Sequence, residues 1–90
     1  MGMWDRAAIQ STVKRFVLEA FLPGEDPSEL TAETELVSSG VLDSVATLRL
    51  VTFLEEEFGI QVEAHEADEE HLNTLASIAD LVASKRAQSL

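Results

Sequence analysis

Two amphipathic stretches are separated by a long connection, from Leu22 to Leu42, that has neither helical nor strand periodicity. A connection of that length within a small domain must either pack or function. In the first stretch, Trp4 to Phe21, Ile9, Val13, Phe16, Val17 and Ala20 recur at helical spacing, while Arg6, Gln10, Lys14 and Glu19 can face water. Asp5 is placed to cap this helix, and Pro23-Gly24 ends it because proline cannot continue the hydrogen-bond ladder. The second stretch runs from Ser44 to about Phe58. Leu48, Val51, Leu54 and Phe58 form its expected stripe, widened by Leu50 and Phe53, with Asp43 as N-cap and Gly59 as the terminating glycine. Between the two, Glu25-Asp26-Pro27-Ser28 is turn chemistry and Ser28 to Leu30 suits one short helical turn. Leu30, Leu36, Val37, Val41 and Leu42 punctuate the connection, which is therefore expected to pack, with Leu36 as the plug between helices. Gly40 allows a positive φ just before the second helix.

Downstream, Ile60-Gln61-Val62 alternates, but it is too short for an isolated strand and no partner strand is evident. It reads as an extended link with Ile60 and Val62 buried. A short third helix is expected around Ala67 to His71. Asn73-Thr74 offers caps for a last helix from Leu75 to about Arg86, with Leu75, Ile78, Leu81 and Val82 inward and Lys85-Arg86 at its C-terminal end. Ala87 to Leu90 is expected to fray. The fold class is all-α. Ninety residues support one domain, residues 1–90 with a core of about 4–86, expected as a monomer.

Charge narrows the function classes. The net charge is −11, and Arg49 is the only Lys or Arg between Glu19 and Asp80. Such a surface repels phosphate backbones and anionic lipids, which argues against nucleic-acid and membrane partners and favours basic protein surfaces. The plainer reading is that acidity serves solubility. No apolar run is long enough to span a bilayer, and no secretory signal is visible. Met1-Gly2 invites myristoylation, but Arg6 stands where that motif takes Ser or Thr. The expected compartment is the cytoplasm. There is no cysteine, which removes disulfides, thiolate metal sites and cysteine catalysis; any thiol chemistry needs a thiol from outside the chain. Glu55-Glu56-Glu57 opposes the dipole at the end of the second helix, either as a solvated end or as an acidic contact surface.

His65-Glu66-Ala67-Asp68-Glu69-Glu70-His71 is rich in ligand types. It has neither His-Glu-x-x-His nor calcium-loop spacing, so no metal site is assigned. Asp43-Ser44 is no hydrolase elbow, because Leu42 and Ala46 stand where glycines are required. Ser44 has no histidine in its own element, and a serine hydroxyl without a base is a poor nucleophile. Self-contained catalysis is not expected: if Ser44 reacts, another protein supplies the base. On its own, Asp43-Ser44 reads as a helix cap.

The wider context adds a resemblance. Leu36-Val37-Ser38-Ser39-Gly40-Val41-Leu42-Asp43-Ser44-Val45, followed by Leu50-Val51-Thr52-Phe53-Leu54-Glu55-Glu56-Glu57-Phe58-Gly59-Ile60, resembles the acyl and peptidyl carrier protein family. That family opens a helix with Gly-x-x-Asp-Ser-Leu and closes it with Glu-Glu-x-Phe-Gly-Ile. The resemblance implies a four-helix carrier-protein bundle with a long loop between the first two helices and a short third helix. It also implies a 4′-phosphopantetheine arm on Ser44, attached from coenzyme A by a phosphopantetheinyl transferase with its own magnesium ion, and a cargo held as a thioester on the arm's thiol. Asp43 would cap the helix beside it. An acyl- or aminoacyl-loading enzyme and a downstream acyltransferase, synthase or tailoring enzyme would be the other partners, met by Val45, Leu48 and Arg49, with Glu55 and Glu56 as further contacts. Leu48 is thus both a stripe residue and a candidate contact.

Three departures distinguish the chain from fatty-acid carriers: Val45 replaces leucine, Ala46 and Arg49 stand where acids are usual, and the link from Phe58 to Thr74 is slightly longer. The run from Ser44 to Val51 instead resembles peptidyl carriers and discrete carriers of polyketide or nonribosomal peptide-type biosynthesis. Two readings compete with a carrier: an unmodified acidic helical adaptor for a basic protein surface, and a metal module centred on His65 and His71.

Overall fold

The computed structural model describes residues 4–88. Met1-Gly2 and the last two residues of the expected frayed end, Ser89 and Leu90, lie outside them. Four helices follow in order: α1 (Arg6–Phe21), α2 (Ser44–Phe58), α3 (Glu69–Leu72) and α4 (Leu75–Gln88), with single 3₁₀ turns at Pro27–Glu29 and Ala64–Glu66. There is no strand among the described residues. The all-α, carrier-type bundle expected from the sequence is what forms, and α4 continues two residues beyond its expected end.

α1 is capped by Asp5 as expected, with Ala8 N–H donating to Asp5 Oδ1 at 2.7 Å, so the helix begins at Arg6 rather than at Trp4. It buries Ile9, Val13 and Val17 chiefly against α4, which contributes Leu75, Ile78, Ala79, Leu81 and Val82. α2 buries Ala46, Leu50, Leu54 and Phe58. This corrects the expected stripe: Leu48 is 68% exposed and Val51 is half-buried. The reason is rotational. Leu48 is two residues from both Ala46 and Leu50, about 200° around the helix, so a core face built on every fourth residue turns it outward.

The long connection packs. Leu36 is fully buried, and Leu30 and Leu42 nearly so. Its backbone is anchored at the junction of α3 and α4. Leu36 N–H donates to the Asn73 carbonyl at 2.6 Å, and Val37 N–H and Ser38 N–H donate to Asn73 Oδ1 at 2.8 and 3.1 Å. Ala76 N–H, in the first turn of α4, donates to the Ala32 carbonyl at 3.0 Å. Asn73 therefore serves the loop, and Thr74 caps α4 by accepting Ser77 N–H at 3.0 Å.

Beyond α2, Gly59 takes the left-handed conformation (φ +66°) and its N–H donates to the Glu55 carbonyl at 3.0 Å. The acidic end of α2 is compensated from α4: Arg86 Nη1 donates to the Phe58 carbonyl at 2.6 Å, placing a cation where the dipole favours one. Ile60 is buried as expected, whereas Val62 is half-buried. α3 is displaced toward the C-terminus from its expected span because Asp68 is its cap, accepting His71 N–H at 3.0 Å.

The chain's single Trp and its four Phe form one line along the α1–α2 seam. Trp4 meets Phe58 edge-on (centroids 4.8 Å), Phe58 meets Phe53 (6.3 Å), Phe53 stacks on Phe16 (4.1 Å, interplanar 10°), and Phe16 meets Phe21 edge-on (5.5 Å). Aromatic pairs in these geometries contribute about 0.5–1.5 kcal/mol each beyond area burial.

Asn73→Ala removes the acceptor shared by two loop amides. It should destabilise the protein by about 1–3 kcal/mol in chemical denaturation, whereas Ser38→Ala, at an exposed position, should stay within about 0.5 kcal/mol of wild type.

Candidate functional site

The start of α2 is defined by its approach and its cap. Gly40 sits at φ +91°, a region costly for other residues, and turns the chain toward α2. Leu42 then anchors in the core. Asp43 is extended (φ −80°, ψ −172°). Its Oδ1 accepts Ala46 N–H at 2.8 Å, and its carbonyl accepts Thr47 N–H at 2.8 Å. Ser44 is the first helical residue and is exposed. Among the described residues nothing hydrogen-bonds its hydroxyl.

Around Ser44 the surface is apolar with one cation. Val45 and Leu48 are 67% and 68% exposed, the exposed large hydrophobic side chains among the described residues. Arg49 is exposed, and its guanidinium carbon lies 5.4 Å from the Phe21 ring centroid. It walls two open grooves. One, of about 370 Å³, is lined by Phe16, Leu48, Arg49, Thr52, Phe53 and Glu56. The other, of about 320 Å³, is lined by Ala20, Phe21, Val41, Asp43, Val45, Ala46 and Arg49.

The other candidate contacts differ in placement. Glu56 is exposed, whereas Glu55 is half-buried and its Oε2 accepts Val62 N–H at 2.9 Å. Ala46, which with Arg49 stands where fatty-acid carriers usually have acids, is buried, so only Arg49 of that pair reaches the surface.

The histidines serve elsewhere. His71 Nδ1 lies 2.7 Å from Asp68 Oδ1. That hydrogen bond raises the His71 pKa above the ordinary histidine value and lowers that of Asp68. Neither histidine lines either groove beside Ser44. No group of three or more His, Cys, Asp or Glu is arranged to hold a metal ion among the described residues. An exposed hydroxyl at the positive end of a helix, with no histidine beside it and the neighbouring Asp43 carboxylate engaged in the cap, suits a covalent attachment point that bears negative charge.

Residues 20–82 match the family model described as a phosphopantetheine attachment site. The chain belongs to the phosphopantetheine-binding carrier family. The carrier is 37% identical to the D-alanyl carrier protein of Streptococcus suis over 70 residues, covering 78% of this chain and 85% of that protein. It is 34% identical to the acyl carrier protein of Thermotoga maritima over 83 residues, covering 92% and 98%. It is 36% identical to the chloroplastic acyl carrier protein of Brassica napus over 78 residues, covering 84% of this chain and 56% of that one. The cofactor of this family is 4′-phosphopantetheine, bound covalently to a serine. Carriers of this kind meet phosphopantetheinyl transferases and the enzymes that load or use the cargo, and the family is non-catalytic. No described helix is long and apolar enough to cross a membrane.

Sequence reading placed Asp43 as the cap and Ser44 in the first turn of α2, as the structure has them. It missed the burial of Ala46, for which the four-residue series Ala46, Leu50, Leu54, Phe58 was the available signal, and the Arg49–Phe21 contact, for which it held none.

Asp43→Ala should cost about 0.5–2 kcal/mol in thermal or chemical unfolding, and Asp43→Asn should retain most of the lost stability, because asparagine caps nearly as well.

Proposed function

We propose that Ser44 bears the phosphopantetheine arm and that the protein holds an acyl or aminoacyl intermediate for delivery to partner enzymes. The observation that carries this reading is the exposed Ser44 hydroxyl at the first position of α2, with Asp43 committed to the cap. The residues present fit the group. The hydroxyl is accessible and has no competing hydrogen bond among the described residues. The helix N-terminus favours the phosphodiester's negative charge by about 0.3–1 kcal/mol.

When bound, the arm supplies a terminal thiol that carries cargo as a thioester. The chain's own part is to present and not to react. Asp43 fixes the first turn, Leu42 pins the approach to the core, and Val45 and Leu48 offer apolar contact to whichever enzyme engages the arm. With no cysteine in the chain, no side-chain thiol competes for the cargo. Since a serine without a base does not activate itself, the proton of Ser44 is taken by a base on the transferase.

The similarity to both a D-alanyl carrier and acyl carriers supports a cargo of either class. Arg49 in place of an acid supports polyketide or nonribosomal peptide-type assembly over fatty-acid synthesis. The reading places the protein in the cytoplasm as a monomer, with residues 4–86 forming one carrier domain.

Incubation with coenzyme A and a broad-specificity phosphopantetheinyl transferase should add one phosphopantetheine mass to the wild-type chain and none to Ser44→Ala, read as intact mass. An equal gain on Ser44→Ala, or none on wild type, contradicts the assignment and leaves the acidic adaptor as the better account.

A further inference from the structure

Arg49 is a lone cation on an acidic middle. No other Lys or Arg occurs between Glu19 and Asp80 of a chain with net charge −11. Among the described residues no carboxylate pairs with it. Its partner is the Phe21 face at 5.4 Å, and Phe21 is itself held edge-on by Phe16. A ring contact leaves the charge unneutralised while restricting where the guanidinium sits. Arg49 also walls both grooves beside the exposed Val45 and Leu48. A protein surface that covers those two apolar side chains therefore also covers Arg49. Covering an unpaired guanidinium without supplying a carboxylate leaves a desolvated charge, and opposing it with Lys or Arg adds like-charge repulsion.

We infer that the enzymes engaging this carrier present an apolar patch to Val45 and Leu48 and a carboxylate to Arg49, so that Arg49 admits acid-bearing partners and rejects those with Lys or Arg at that place. This rests on Ser44 as the arm-bearing residue, which makes this face of α2 the one that partners must cover. Glu56, two turns further along the same groove, supplies the opposite pole. The two charges lie about 10 Å apart along the helix axis and would set the direction in which a partner lies on α2.

The test uses a phosphopantetheinyl transferase whose carrier-binding surface places Lys or Arg opposite the fifth residue after the modified serine, and the same enzyme with that residue changed to Glu. Modification rates are read by intact mass at low ionic strength for wild type, Arg49→Lys, Arg49→Gln and Arg49→Glu. Wild type and Arg49→Lys should react faster with the Glu-bearing transferase, by about ten-fold or more. Arg49→Glu should reverse the preference and Arg49→Gln should largely abolish it. All preferences should shrink as salt rises toward about 1 M, where the Debye length is near 3 Å.

Mass gain with a preference that ignores the charge at residue 49, or a wild-type preference for the basic transferase, overturns the inference alone. An equal loss of rate with both transferases also counts against it, because it places the effect of Arg49 inside the carrier. If no pairing gains mass at Ser44, the attachment reading falls and the inference with it.

Discussion

The anchoring of the long connection on Asn73 is the constraint on which the site depends. A segment from Leu22 to Leu42 with little secondary structure of its own would leave the start of α2 unfixed. Here its backbone amides reach a carbonyl and a side-chain amide at the α3–α4 junction, and Leu30, Leu36 and Leu42 enter the same core as α1 and α4. Buried apolar contact supplies most of the stabilisation, and the hydrogen bonds set the register by satisfying amides that would otherwise be partly desolvated. With Leu42 held, Asp43 falls where it caps α2, and Ser44 follows into the first turn with its hydroxyl in solvent.

Charge is organised around the same axis. The C-terminal end of α2 carries three glutamates, an arrangement the helix dipole disfavours. The fold offsets it by spending Glu55 on the Val62 amide and bringing Arg86 onto the Phe58 carbonyl. The N-terminal half instead carries exposed apolar side chains and a cation resting on an aromatic ring. A carrier is recognised by partner enzymes, and the half of α2 nearest Ser44 differs from the acidic C-terminal half of the same helix in being apolar with one cation.

Much of this was legible in the sequence, for identifiable reasons. Caps are local: Asp5, Asp43 and Gly59 act on residues within one turn, so each was readable from its neighbours. The plug residue Leu36 was legible because an apolar side chain in a polar connection has few other uses. The rotation of α2 was less accessible. Leu48 and Leu50 are both apolar, and choosing which faces inward requires knowing that small Ala46 belongs to the core series. The role of Asn73 was hidden because its partners, Val37 and Ser38, are distant in sequence and contribute backbone amides, which carry no residue signature. Arg49 could be seen as an oddity of charge, but its contact with Phe21 is a product of how α1 and α2 meet.

The central claim is that one serine, fixed by the cap at the head of α2, is the tether. Peptide mapping of the chain after modification by a phosphopantetheinyl transferase addresses it directly, because Ser38 and Ser39 are exposed only a few residues away. Fragment ions should place the added mass between Asp43 and Val45, with Ser38 and Ser39 unmodified. An adduct on either of those serines, or on any residue other than Ser44, would contradict the account.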